Sequence, residues 1–251
     1  MNKTEFNDLQ NQLGNILYEY ERLLKKGFII NLKYQVKFKS YLEKLKKYNE
    51  ENKLIQQVII MVNEKKVENE IEQTINLATL KYNKELVNIQ NNVRNYESIL
   101  RNIANISNDN ISKMEFDFKN YVLKRHPALK INVSKEQDLI YRQLRIAYEE
   151  NNIENFYKCF KVALSTDTCE NISEEDYSKY SINYYELMEK LKLEIQRLSS
   201  LYPYTKENVF LDDMSILHEE AELKINVNNL LGINSSLHKD LLNCYFKDIS
   251  L

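Results

Sequence analysis

Apolar residues recur along this chain in steps of three and four, the spacing of one helix face and not the strict alternation of a strand. They fall at Leu9, Leu13, Ile16, Tyr20 and Leu23, then at Ile30, Tyr34, Phe38, Tyr41, Leu45 and Tyr48, and less regularly from Ile55 to Val62. Gly27 lies between the first two stripes and is expected to interrupt the helix. The polar run Asn63-Glu64-Lys65-Lys66 precedes the clearest stripe: Ile71, Ile75, Ala78, Tyr82, Leu86, Ile89, Val93, Tyr96, Leu100 and Ile103. Its doubled step of four around Tyr82 amounts to a stutter in a heptad. At about 1.5 Å per residue each arm is roughly 50 Å long, and four residues suffice to join them. The pattern predicts an antiparallel helical hairpin or coiled coil over residues 1–104. Such a narrow seam is stable only when another helix or a second chain covers it.

Beyond it, Asn102 to Ser112 reads as a polar break, and a shorter helix is expected from Lys113 to Arg125, where His126-Pro127 stops it. Ser134 with Gln137 three residues on is a capping-box signature and starts a helix over Lys135 to Glu149. Asn151-Asn152 separates it from a helix over Glu154 to Leu164. Ser165 to Asp176 reads as a linker. The heptad returns at Tyr184, Met188, Leu191, Ile195, Leu198 and Tyr202, and ends at Tyr202-Pro203-Tyr204. Asp212 or Asp213 can cap a further helix carrying Met214, Leu217 and Ala221. Gly232 is expected to stop it before a short closing helix over Leu237 to Tyr245. Residues 169–251 thus read as a C-terminal helical or coiled-coil region.

Composition narrows the fold class to all-α. Three Gly and two Pro in 251 residues cannot supply the turns of a sandwich, barrel or doubly wound sheet, while 43% apolar and 29% charged residues suit long amphipathic helices. With 35 Lys plus Arg against 37 Asp plus Glu, no overall field draws the chain onto nucleic acid or an anionic membrane. The polar, acidic start and a longest purely apolar run of only Val58 to Val62 predict neither a signal peptide nor a membrane span, hence a cytoplasmic protein.

Candidate chemistry is sparse. Cys159, Cys169 and Cys244 have no CxxC spacing and read as buried thiols. His126, His218 and His238 show no metal-ligand spacing, glycine is too scarce for a phosphate loop, and carboxylates interleave with lysines along helix faces. The reading is therefore of a non-enzyme with no catalytic residues, no metal and no cofactor. Tyr20, Tyr34, Tyr41, Tyr48, Tyr82 and Tyr96 could stack on bases, but their heptad spacing assigns them to seams with hydroxyls at the rim.

The stretch Met114 to Leu164 carries a more specific pattern. A helix with Phe118, Tyr121 and Val122 leads into His126-Pro127-Ala128-Leu129, and a second helix carries Tyr141, Leu144, Ala147 and Tyr148. This resembles the J-domain, the hairpin by which DnaJ-type co-chaperones engage DnaK-type ATPases, with Tyr121 where Leu is usual. The whole chain is similar to bacterial coiled-coil proteins with a central degenerate J-like segment. That likeness extends to the acidic turn Tyr148 to Glu154 and the aromatic-Pro-aromatic break, and it makes residues 105–168 the J-like module.

The resemblance implies a docking surface at His126, Pro127, Lys119, Lys124 and Arg125, with Lys113 and Lys130 adding positive charge toward an acidic partner. Two plainer readings stand beside it: the lysines as a solvated face, and His126-Pro127 as a helix stop. The family's loop is His-Pro-Asp, and Ala128 stands where its triggering aspartate would be. A methyl group cannot accept a charge-assisted hydrogen bond, a loss of about 1.5–3 kcal/mol or roughly ten- to a hundredfold. The expected function is thus a DnaJ-like adaptor or scaffold that binds protein partners, a DnaK-type chaperone or a second copy among them, through its coiled-coil helices without stimulating an ATPase. The alternative is an active co-chaperone in which Glu136 or Asp138 substitutes for the missing carboxylate. A tetratricopeptide-like element around Tyr141 to Leu164 is disfavoured because no 34-residue repeat is present.

Overall fold

The computed structural model describes residues 1–130, 132–166 and 174–247. Among them regular structure is entirely helical: α1 (Lys3–Lys37), α2 (Lys39–Asn63), α3 (Glu68–Asn105), α4 (Asn108–Arg125), α5 (Lys135–Glu149), α6 (Ile153–Ser165), α7 (Tyr177–Ser199) and α8 (Asp213–Lys247). Short 3-10 turns occupy Pro127–Leu129, Glu174–Asp176 and Tyr204–Phe210. The expected linker at Ser165 to Asp176 lies mostly outside the described residues, as does Cys169.

Two expected helix breaks are absent. Helix α1 passes through Gly27 and ends at Phe38 instead. Glycine is needed there for space: a β-carbon on Gly27 would lie 2.5 Å from the Tyr204 hydroxyl oxygen. Helix α8 likewise runs through Gly232, because its buried positions Glu219, Leu223, Val227 and Asn234 continue in register past it. A single interior glycine costs about 1 kcal/mol, less than such a face gains by burial. The polar break is also shorter than expected, since α4 starts at Asn108 and Ser107 caps it by accepting from the Asn110 amide. Ser134 and Gln137 form the reciprocal capping box at the start of α5.

Packing divides the chain into two interleaved units, one of Met1–Leu32 with Ser98–Glu207 and one of Lys33–Glu97 with Asn208 onward. In the second, Tyr34, Phe38, Tyr41 and Leu45 cluster with Val209, Phe210, Ile216 and Leu223. The main partner of α2 is therefore α8, and a simple α2–α3 hairpin is not what covers its seam. Buried polar pairs set this register: Tyr34 Oη donates to Glu219 Oε1 at 2.5 Å, Asn234 Nδ2 to Asn52 Oδ1 at 2.9 Å, and Asn52 Nδ2 to the Leu230 carbonyl at 3.2 Å. Helix α3 returns antiparallel to α2, tied by Lys46–Glu85 at 2.7 Å, but a groove of 730 Å³ past Leu54, Leu77, Ala78 and Tyr82 separates them. Within the C-terminal region over 169–251, α7 belongs to the first unit and α8 to the second.

The first unit has one core, built from Leu9, Leu13 and Leu17 of α1, Met114, Phe118 and Val122 of α4, Tyr141, Leu144 and Tyr148 of α5, Phe156 of α6 and Tyr184 and Met188 of α7. Helices α4 and α5 run antiparallel: Phe118 stacks on Tyr148 with centroids 3.9 Å apart, and Tyr121 lies 6.3 Å from Tyr141. Helix α6 folds back on α5, and Phe156 closes the stack edge-on to Phe118. Close approach of α1 to α4 depends on Gly14, whose β-carbon would sit 3.0 Å from the Leu123 carbonyl oxygen.

Candidate functional site

The residues that carry the J-like pattern meet in this core. Phe118, Val122, Leu144 and Tyr148 are fully buried, with Tyr121, Tyr141 and Ala147 nearly so. The spacing that places them on facing helix stripes thus also places them in one core.

At the end of α4 the chain turns as the residue before proline requires, with His126 at φ −56 and ψ 137. Its Nδ1 accepts the Ala128 amide at 3.0 Å. A nitrogen that accepts carries no proton, so the ring proton of a neutral His126 sits on Nε2. That atom faces Glu21 Oε1 of α1 at 3.7 Å, and the ring packs edge-on to Tyr141 at 4.7 Å. The Leu129 carbonyl accepts from Tyr184 Oη of α7 at 2.8 Å and from Gln10 Nε2 of α1 at 3.4 Å. The turn is closed by Leu129 N to His126 O at 2.9 Å and Lys130 N to Pro127 O at 3.1 Å. His126 is only 8% exposed and Leu129 3%, while Pro127 and Ala128 are half-buried.

Glu21, 3% exposed, is the centre of a buried polar cluster. Tyr141 Oη donates to its Oε1 at 2.9 Å, and Arg145 Nε lies 3.9 Å from its Oε2 and 3.3 Å from Glu149 Oε1. Burial, then the Glu21 carboxylate, holds the Tyr141 phenol well above the ordinary tyrosine range. Burial also raises the Glu149 carboxyl, with Arg145 pulling the other way. One turn further along α1, Lys25 lies 3.2 Å from Glu115 and 4.1 Å above the Tyr148 ring, its ammonium pushed down by burial. Carboxylate, imidazole, phenol and guanidinium could serve acid–base chemistry where a substrate reaches them. Neither the groove between α2 and α3 nor a smaller cleft at the start of α6 is lined by any of them. Their contacts tie α1 to the α4–α5 turn.

Lys113 lies over the Tyr157 ring of α6 at 5.6 Å and Lys119 over the Tyr18 ring of α1 at 5.6 Å, so these two point from different faces of α4. Lys124 is exposed in its last turn, and Arg125 is half-buried beside the loop. No group of three His, Cys, Asp or Glu side chains among the described residues is arranged to hold a metal ion. No described helix is long and apolar enough to cross a membrane.

Sequence reasoning passed over Glu21 and Lys25 because it followed the heptad stripe through Tyr20 and Leu23. The buried row is Leu13, Leu17, Glu21, Lys25, in steps of four. Two charges continuing an apolar row at i+4 are the signal of a buried ion site. No protein-family model matches this chain, and no curated protein or solved structure matches it.

Proposed function

We propose that this protein is a non-enzymatic, DnaJ-like adaptor that binds protein partners through its long helices and does not stimulate a chaperone ATPase. The observation that carries the reading is the His-Pro-Ala loop. A triggering loop must offer a carboxylate to its partner, and this one offers the Ala128 methyl. Its histidine is turned inward to Glu21 and Tyr141, and its last carbonyl is held by Gln10 and Tyr184. Partner binding is supported by apolar side chains left at the surface of α3, where Leu77 is 68% and Leu80 67% exposed. A DnaK-type chaperone held without being triggered, or a second copy of this chain, fits the reading as partner.

The test is the ATPase rate of a DnaK-type chaperone at saturating protein, with the A128D variant beside the parent. The parent is expected to leave the rate unchanged, and stimulation by the parent overturns the reading. A gain confined to A128D adds that the docking face of α4 is retained.

A further inference from the structure

Helix α3 carries two rows of residues on opposite sides. Ile71 and Val93 are buried, and Ala78 and Tyr82 line the groove toward α2, which fixes one side of the helix. At about 3.6 residues per turn, Glu70, Gln73, Leu77, Leu80, Lys84, Val87, Asn91 and Arg94 fall on the other side. All of them are exposed, Leu77, Leu80 and Val87 to 68%, 67% and 54%. Steps of three and four alternate through this row without the stutter at Tyr82, so it is a regular heptad seam left open to solvent.

The order of residues in the row is its own complement. Set antiparallel to a second α3 about a twofold axis between Leu80 and Lys84, Leu77 meets the partner's Val87 and Leu80 meets the partner's Lys84. Further out, Gln73 meets the partner's Asn91 and Glu70 meets the partner's Arg94, and the axis repeats each pair on its other side. The centre is apolar, with the methylene stem of Lys84 covering leucine while its ammonium reaches solvent. Amides flank it, and opposite charges close both ends. Glu70, Lys84 and Arg94 make no ion pair among the described residues, so these charges are available.

Charge along the helix selects the same orientation. Residues 68–80 carry Glu68, Glu70 and Glu72 with no Lys or Arg. Residues 81–94 carry Lys81, Lys84 and Arg94 against Glu85, which is already tied to Lys46 at 2.7 Å. Parallel pairing would set each charge of the row against its own copy, and antiparallel pairing sets the acidic segment against the basic one.

We infer that this face of α3 is a homodimer interface in which two copies pair antiparallel through Leu77, Leu80, Lys84 and Val87, with Glu70–Arg94 pairs at the ends. The inference rests on the reading of the long helices as partner-binding elements and names a second copy as the partner. So short an apolar centre belongs at the small end of protein interfaces, below about 1,200 Å², with a Kd on the order of 10 μM.

The experiment is analytical ultracentrifugation of the full chain from about 1 to about 300 μM, a range that brackets this constant. The parent is expected to pass reversibly from monomer to dimer. L77K/L80K changes two exposed positions, so it should keep the helical dichroism of the parent and stay monomeric throughout. E70R and R94E each replace attraction by repulsion at both ends and should weaken association by about tenfold. The E70R/R94E exchange restores opposite charges in the antiparallel pairing and should return the Kd to within about threefold of the parent. A monomeric parent over the whole range, association that survives L77K/L80K, or an exchange variant no tighter than the single variants overturns the proposal. The two readings fail separately, because the ATPase rate does not report self-association and a monomeric parent leaves the ATPase result as it stands.

Discussion

The hydrogen bond from Tyr141 to Glu21 is the test case for what fixes α1 against the α4–α5 hairpin. Both side chains are buried, at 5% and 3% exposure, and the bond is 2.9 Å long. A hydrogen bond to a charged group contributes about 1.5–3 kcal/mol, and a buried polar atom left without its partner costs about 1–3 kcal/mol. Y141F removes the donor and leaves the carboxylate with His126 at 3.7 Å and Arg145 at 3.9 Å, neither close enough for a good hydrogen bond. It should cost about 2–3 kcal/mol. E21L keeps the volume, orphans the Tyr141 hydroxyl and should cost a similar amount. The double variant orphans neither group, so its cost should fall below the sum of the singles by about 1.5–3 kcal/mol. The assay is urea unfolding followed by the near-ultraviolet dichroism of the buried tyrosines, with an unchanged denaturant slope required before midpoints are compared. Additivity to within about 0.5 kcal/mol would refute the claim that this pair acts as a unit.

Two glycine substitutions should have opposite signs. G232A meets nothing within 4 Å in the middle of α8 and should stabilise the protein by up to about 1 kcal/mol in thermal unfolding. G27A drives a methyl group into the Tyr204 ring and should destabilise by about 1–3 kcal/mol, with Y204A restoring most of the loss when the two are combined. E150Q tests the uncompensated carboxylate. Burial raises the folded-state pKa of Glu150 above its unfolded value of about 4.3, so ionisation disfavours the folded state. The parent should therefore lose stability relative to E150Q as pH rises above about 4, and the two should converge below that. A constant difference across the range would contradict this assignment.

Where the sequence was informative, a local rule met a tertiary need. The Ser134–Gln137 capping box fixed the start of α5 to the residue, and His126-Pro127 ended α4 where the residue before proline must leave the helix. The aromatic pattern Phe118, Tyr121, Tyr141, Tyr148 selected residues that pack in one core. The two glycines misled because propensity is a weak local term. Gly27 is retained for the space that Tyr204 occupies, and that residue is 177 positions away along the chain. The heptad stripe of α2 identified its buried face and not its partner, since an apolar face does not encode whether α3 or α8 will cover it. The Glu21 cluster draws on α1, α4 and α5, and only its i+4 row on α1 left a trace in the sequence.

The His-Pro-Ala loop is a packed part of the first unit. Amide hydrogen exchange at Ala128, Leu129 and Lys130 tests it directly, because all three amides donate within the turn, to His126 Nδ1, His126 O and Pro127 O. They should exchange as slowly as the core amides of Leu144 and Ala147, and faster in E21L and Y141F. Exchange within seconds, as in an open surface loop, would contradict the account.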